Sequence, residues 1–168
     1  MKRLFYQNLF WLVPLAFLVA GCHRPTAIVP PEIHYGRETC ADCGMIVNDA
    51  HYAAAIAFRT EPDAPVQSAI FDDIGCLLTW RQHHREARVA AAWVKDVNTA
   101  AWLEATSAAY VKSDQFSTPM GSGVVAGSAV SDFAKLPVQS PALTWSNLLN
   151  ADSLNVGSLP ATGAEPTH

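Results

Sequence analysis

The first 21 residues constrain this chain most strongly, because they are built differently from everything that follows. Lys2 and Arg3 give a positively charged start, and an apolar run extends from residue 9 to residue 20. A helix that spans a bilayer needs about 20 consecutive apolar residues, and this run is shorter and contains Pro14. A charged start followed by a short apolar run is typical of an export signal. We therefore predict that residues 1–21 form a signal peptide and take no part in the fold.

The predicted signal ends at a cysteine that is preceded by small residues. The order Val19-Ala20-Gly21-Cys22 resembles the bacterial lipobox, in which the cysteine is acylated and becomes the first residue of the mature chain. We predict lipid attachment at Cys22, which would hold the protein on the periplasmic side of a bacterial membrane. The absence of Asp after Cys22 favours the outer membrane over the inner one. The alternative is a short membrane anchor with an incidental cysteine.

Removal of the signal changes the size and charge of what remains to fold. It leaves 147 of the 168 residues and takes the formal charge from −4 to −6, because two basic residues and no acidic residue are lost. Nucleic-acid binding through phosphate contacts needs a positive surface, so this composition excludes it. The chain is 50% hydrophobic with five tryptophans, which excludes a disordered protein. Four cysteines in this length are too few for a disulfide scaffold.

Composition divides the mature chain into three parts. Residues 22–37 contain Pro25, Pro30 and Pro31 with little periodicity, and we predict that they tether the lipid to the domain. Residues 38–149 form the predicted folded domain. Residues 150–168 are mainly Ser, Pro, Thr, Gly and Ala, which is typical of a disordered tail.

Hydrophobic periodicity predicts an α+β domain in which helices pack on a mostly antiparallel sheet. Strands are expected at 46–47, 51–58, 66–71, 89–94, 110–111 and 124–125, although the alanine content of 51–58 also permits a helix. Asp72 and Asp73 precede a helical pattern and are expected to cap it rather than to act as catalytic carboxylates. Asn98 is expected to begin a short helix, and Ser128 another that ends at Pro137. The resulting strand-strand-helix-strand order is weakly repeated in the second half.

The placement of sulfur is the most informative feature of the domain. Methionine usually fills gaps in a core. Met45 and Met120, however, lie beside Gly or Pro in turn-like segments, where a chain tends to be at the surface. Cys40 and Cys43 stand next to Met45 in the sequence Cys-Ala-Asp-Cys-Gly-Met. Thiolate together with thioether is the donor set that suits Cu(I), whereas zinc makes little use of thioether and calcium prefers oxygen.

Each candidate ligand has a competing explanation. Cys40 and Cys43 could form a disulfide or a redox pair, and both methionines could be core fillers. Cys76 falls in the first turn of the predicted helix, where it is either a buried apolar residue or a further ligand. His51 at the start of a predicted strand is either a third ligand or a polar surface residue. His83 and His84 stand among charged residues and are expected on a solvated helix face.

The sequence contains no common catalytic or nucleotide-binding motif. GxSxG, HExxH, the Walker loop and GxGxxG are all missing. We therefore predict a binding protein and not an enzyme, with ligand exchange as its chemistry. Two other classes stay open, namely a thiol oxidoreductase that uses Cys40 and Cys43, and a lipid-anchored interaction module whose sulfur-bearing loops only pack.

Four segments together resemble the NosL family, lipoproteins that accompany the maturation of nitrous oxide reductase. The segments are Cys-Ala-Asp-Cys-Gly-Met at 40–45, Ile-Phe-Asp-Asp-Ile-Gly-Cys at 70–76, Trp-Val-Lys-Asp at 93–96 with Trp102, and Thr-Pro-Met-Gly-Ser-Gly at 118–123. The resemblance covers roughly residues 38–136, and the lipobox in front agrees with it.

The resemblance implies a periplasmic Cu(I) chaperone that works beside an ABC-type transporter complex and passes copper to an apo copper enzyme. It also implies a fold of two related ββαβ units, similar to part of organomercurial lyase. By position, Cys43 and Met45 match the Cys-x-Met element of the family, and Met120 matches its second methionine. Cys40 departs from members that carry one cysteine there, so it is either a ligand or a disulfide partner.

Overall fold

The structure is a computed structural model that describes residues 27–135 and 140–150. Its helices and strands follow one another in the order β1 (Ala54–Arg59), β2 (Gln67–Phe71), α1 (Ile74–His83), β3 (Arg88–Lys95), β4 (Trp102–Glu104), β5 (Ala109–Lys112), β6 (Val124–Gly127), a 3-10 helix (Val130–Lys135) and α2 (Trp145–Asn150). This is the predicted α+β class, with antiparallel sheets and few helices.

A four-stranded antiparallel sheet in the order β2-β1-β3-β4 forms the centre of the fold. Its central strand β1 is rich in alanine and is buried on both faces. Ala54 and Ile56 join the main core, while Ala55 and Ala57 lie on the opposite face against Trp93. Small side chains suit this position because they leave room for the large indole of the neighbouring strand.

Helix α1 packs on this sheet and begins where β2 ends. The carboxylate of Asp73 accepts the backbone N–H of Gly75 at 2.5 Å and caps the helix, as predicted. Trp80 stands edge-on to Phe58, with ring centroids 4.9 Å apart. His83 is exposed, as expected. His84 is not on a solvated face, because its ring stacks on Trp80 at 4.2 Å and its Nδ1 lies 2.9 Å from the carbonyl oxygen of Trp80.

A second sheet of two strands, β5 and β6, adjoins the end of β3. The backbone N–H of Val97 donates to the carbonyl of Ala126 at 2.9 Å, next to a bridge between Asp96 and Ala126. Phe133 of the 3-10 helix packs against β5 and β6. The second half of the chain thus also begins with two strands followed by a helix, although this helix is short and of the 3-10 type.

One predicted helix is wrong. Residues after Asn98 do not begin a helix, because the segment between β3 and Trp102 is a tight turn. The carboxylate of Asp96 accepts the backbone N–H groups of Asn98 and Thr99, each at 2.9 Å, and Ala100 adopts a φ of 55°. The chain then reverses, and β4 pairs with β3. The predicted strand at 46–47 is reduced to one bridge, between Thr39 and Ile46.

The packed part of the chain begins before residue 38. Ile33 and Tyr35, within the predicted tether, pack against the main core. The signal peptide, the lipidation site at Cys22, Pro137 and residues 151–168 lie outside the described residues. Among the described helices, none has the length and apolar character needed to cross a membrane.

Candidate metal centre

A tight turn carries the first two cysteines of the candidate centre. The backbone N–H of Cys40 donates to the carbonyl of Met45 at 2.7 Å, and the N–H of Gly44 donates to the carbonyl of Cys40 at 3.0 Å. Gly44 has a φ of 75°, a conformation that a residue without Cβ adopts at little cost. The turn therefore brings Cys43 back towards Cys40, so that the two side chains converge.

The turn is fastened to the junction between β2 and α1. The N–H of Ala41 donates to the carbonyl of Ile70 at 2.9 Å, near the end of β2. Asp72 follows β2 directly, and Cys76 lies in the first turn of α1. As a result, the Sγ atoms of the three cysteines and a carboxylate oxygen of Asp72 all lie within 4.8 Å of one another. We call this set, Cys40, Cys43, Asp72 and Cys76, the sulfur cluster.

The sulfur cluster spans the boundary between core and solvent. Cys40, Cys76 and Asp72 are buried, with 2%, 4% and 2% of their surface exposed, whereas Cys43 is half-buried. None of the three cysteines is in a disulfide. The predicted Cys40–Cys43 pair is therefore present as two free thiols beside a third.

Cys40 is held as a thiolate. The S–H of Cys76 donates to its sulfur, and the backbone N–H groups of Cys43, Asp72 and Asp42 donate to it as well. These donors outweigh the cost of burying the charge and lower the pKa of Cys40 from its ordinary 9.0 to about 6. Near neutral pH the buried sulfur therefore carries a negative charge.

The other two cysteines keep their protons more strongly. Burial is the main cause that raises the pKa of Cys43, and the neighbouring Cys40 adds to it. The hydrogen bond that Cys76 donates to Cys40 raises the pKa of Cys76, and burial acts in the same direction. The S–H of Cys43 donates to the Asp72 carboxylate at 3.7 Å. Between about pH 6 and 9 the three sulfurs thus carry one charge, which is on Cys40.

We expect the reduced, metal-free protein to show the ultraviolet absorbance of one thiolate, with a midpoint near pH 6. Cys40→Ala should remove this transition, and Cys76→Ala should move it to higher pH because the donor is lost. The folded state binds fewer protons than the unfolded state between pH 6 and 9, so the free energy of unfolding should rise with pH across that window. A first thiolate transition at or above pH 8.5 would contradict the assignment.

The loop that carries Met120 lies against the same end of α1. The Asp73 carboxylate accepts the hydroxyl of Ser122 at 2.5 Å and the backbone N–H of Met120 at 3.2 Å. A Cβ added to Gly75 would stand 2.5 Å from the Cβ of Ser122, so the close contact between loop and helix requires glycine here. Asp73 is thus both the helix cap and the acceptor that fixes this loop.

The structure brings the sulfurs of Cys40, Cys43 and Cys76 together, and it attaches the backbone of both predicted methionine ligands to residues in or next to the cluster. Met45 follows Cys43 by two residues, and Met120 is anchored to Asp73, which adjoins the cluster residue Asp72. Both methionines are exposed, at 54% and 43%, so neither is a core filler. Whether their sulfurs bind metal stays a prediction.

Two other predictions about the site differ from what is observed. His51 lies in the turn before β1 and not on a strand, and its Nδ1 is 2.9 Å from the carbonyl oxygen of Val97, outside the sulfur cluster. Asp72 does not cap the helix, because Asp73 does. The carboxylate of Asp72 faces Cys43 instead, a role that the sequence analysis missed. The available signal was that two adjacent acids precede a helix that has only one cap position, so one of the two is free for another role.

The geometry fits a soft metal ion. Zinc–thiolate bonds are about 2.3 Å long, and two sulfurs that bind one ion from opposite sides with bonds of that length stand about 4.6 Å apart. The sulfurs of the cluster lie within 4.8 Å of one another, so they have already converged far enough to share one ion after an adjustment of their side chains. A soft monovalent ion does not use a carboxylate oxygen, which leaves Asp72 as a hydrogen-bond acceptor.

Comparison with known proteins gives one family and one solved structure. The sequence model of the NosL family matches residues 32–138. The crystal structure of the copper chaperone NosL from Shewanella denitrificans is similar, with a TM-score of 0.58 and 12% identity, and the match covers 74% of this chain and 99% of that chain. At this identity the likeness shows a shared fold alone. No curated protein sequence matches the chain.

Proposed function

Because the chain belongs to the NosL family, we propose that it is a copper chaperone that holds Cu(I) and releases it by ligand exchange. The thiolate of Cys43 and the thioethers of Met45 and Met120 are the proposed ligands that face the recipient. The observation that carries the proposal is the sulfur cluster, in which three free cysteines converge. Met45 and Met120 are both exposed, as ligands that meet a recipient must be.

The exposure of these sulfurs supports exchange rather than storage. A thioether is neutral and leaves the ion without taking up a proton, so an exposed methionine is a ligand that a recipient can displace. The recipient's sulfur would bond to copper before a methionine lets go, so the ion is never free in solution. A structural centre would instead be closed by four strong ligands.

The cellular setting is part of the same proposal. We propose a lipid anchor at Cys22, a location on the periplasmic side with the outer membrane favoured, and delivery to nitrous oxide reductase or a related copper enzyme. An ABC-type transporter complex would be a partner in this maturation. Family membership supports the periplasm and the copper pathway, while the anchor rests on the order of residues 19–22.

The arrangement disfavours thiol–disulfide exchange. That chemistry needs an accessible thiolate. Here the thiolate is on Cys40, which is 2% exposed, whereas the more accessible Cys43 has a raised pKa. If the chain were an oxidoreductase, it would reduce insulin with Met45 and Met120 dispensable. An interaction module would bind no metal at all.

The test is an anaerobic titration of the reduced protein with Cu(I) against a competing chelator. We expect one tightly bound equivalent, and Met120→Leu should slow the transfer of copper to the chelator about threefold, because one of the exposed ligands through which the ion leaves is lost. Val130→Leu, which places the same side chain at another exposed position, is the control and should bind as the parent does. A parent protein that fails to compete with the chelator would refute the function, and a parental transfer rate of Met120→Leu would remove Met120 from the ligand set.

A further inference from the structure

The outer ligand set leaves a buried sulfur of the cluster unused, that of Cys40. Cys43, Met45 and Met120 all reach the surface or its boundary, whereas Cys40 is buried directly behind Cys43. A buried free cysteine is ordinarily a small apolar residue. Cys40 differs, because its sulfur faces two other thiols and accepts several backbone N–H groups.

We propose that the chain has a second, inner copper position between Cys40 and Cys43, and that Cys43 is shared by the inner position and the outer one. This rests on the proposed function and adds to it a route for the ion. In the inner position two sulfurs bind Cu(I) from opposite sides, and the two sulfurs already lie within 4.8 Å of each other without the ion. In the outer position Cys43 keeps the ion while Met45 and Met120 replace Cys40.

Depth and charge form a gradient along this route. Exposure rises from 2% at Cys40, through half-buried Cys43, to 54% at Met45 and 43% at Met120. An anionic thiolate attracts Cu(I) more strongly than a neutral thioether does. The inner position therefore favours retention away from water, and the outer position favours access by a recipient.

The transfer between the positions conserves charge and changes no oxidation state. Cys43 loses its S–H proton to solvent when copper first binds, and it remains bound to copper throughout. Outward movement breaks the bond between copper and Cys40 and forms bonds to the two thioethers. Cys40 is then again the thiolate that the Cys76 S–H and the backbone N–H groups stabilise.

The charge of the cluster indicates why Cys76 is a positioning residue and not a third ligand. Cu(I) with two thiolates carries one negative charge, and a third thiolate would add another beside the buried Asp72 carboxylate. In the metal-free structure the S–H group of Cys76 donates to the sulfur of Cys40. A serine at this position retains a donor while removing the sulfur.

The experiment measures affinity and the rate of copper transfer to a chelator in matched variants of the whole protein. Cys40→Ser should weaken Cu(I) binding at least about tenfold and speed transfer, whereas Cys76→Ser should bind within about threefold of the parent. The double variant Met45→Leu with Met120→Leu should still take up one equivalent, held by the inner position, and should release it at least about tenfold more slowly.

Each failure has a separate signature. If the parent binds no Cu(I), the proposed function itself is wrong. If the parent binds and Cys40→Ser has parental affinity and rate, there is no inner position. Loss of all binding in the double methionine variant would also overturn the inner position. Equal weakening by Cys40→Ser and Cys76→Ser would overturn the two-sulfur arrangement in favour of three ligands.

Discussion

Replacing Cys43 by serine is expected to abolish tight Cu(I) binding, with a loss of at least about a thousandfold in affinity. Cys43 is the ligand that both proposed positions share, so its removal leaves neither of them intact. A serine hydroxyl is a hard and neutral donor that a soft ion does not use. The buried thiolate of Cys40 would then be the only cysteine ligand left of the two positions, without a second sulfur opposite it.

The measurement is the anaerobic competition with a Cu(I) chelator, together with the melting temperature. Ala41→Ser is the matched control, because it adds the same hydroxyl to the same exposed turn and removes no sulfur. We expect the control to bind as the parent does, and Cys43→Ser to melt close to the parent since Cys43 is half-buried. Parental affinity in Cys43→Ser would show that the ligand assignment is wrong for both positions.

The local signals of the sequence predicted most of the first half of the fold. The apolar runs that form β2 and β3 and the acids before α1 are local features, and the structure contains these elements within one residue of the predicted strand ends. The prediction of a helix after Asn98 failed because an Asp side chain that accepts two backbone N–H groups stabilises a turn as readily as it caps a helix.

The candidate centre was predictable only in part. Spacing alone placed Cys40 near Cys43, and glycine in the turn made that convergence feasible. The approach of Cys76 and Asp72 depends on the bond between Ala41 and Ile70, which joins segments about 30 residues apart. No local pattern encodes that contact. The lowered pKa of Cys40 follows from it, because the main cause is the S–H of Cys76, and a backbone N–H of Asp72 adds to it.

Asp73→Ala is expected to lower the free energy of unfolding by about 3 kcal/mol or more, and the melting temperature by roughly 10 °C. Asp73 is fully buried and accepts hydrogen bonds from Gly75, Ser122 and Met120. Alanine removes the helix cap and leaves these donors without their acceptor. Asp63→Ala is the control, since Asp63 is exposed and its loss removes the same charge with little expected effect. Equal melting temperatures for the two variants would show that Asp73 does not fasten the loop to the helix.

Asp73→Asn separates the stability of the fold from the placement of Met120. The Oδ1 atom accepts Gly75 and Ser122, while Oδ2 accepts the backbone N–H of Met120. An asparagine oriented to keep its oxygen at the first position retains the cap and the bond to Ser122, and it turns an NH₂ group towards the N–H of Met120. Two donors then oppose each other, so the loop should move away from the cluster while the helix stays capped. We therefore expect a smaller loss of stability than in Asp73→Ala, together with a slowing of Cu(I) transfer that matches Met120→Leu. Combining Asp73→Asn with Met120→Leu should slow transfer no further than either change alone, because both act through the same sulfur. Additive slowing would mean that Asp73 influences the metal by a route other than Met120.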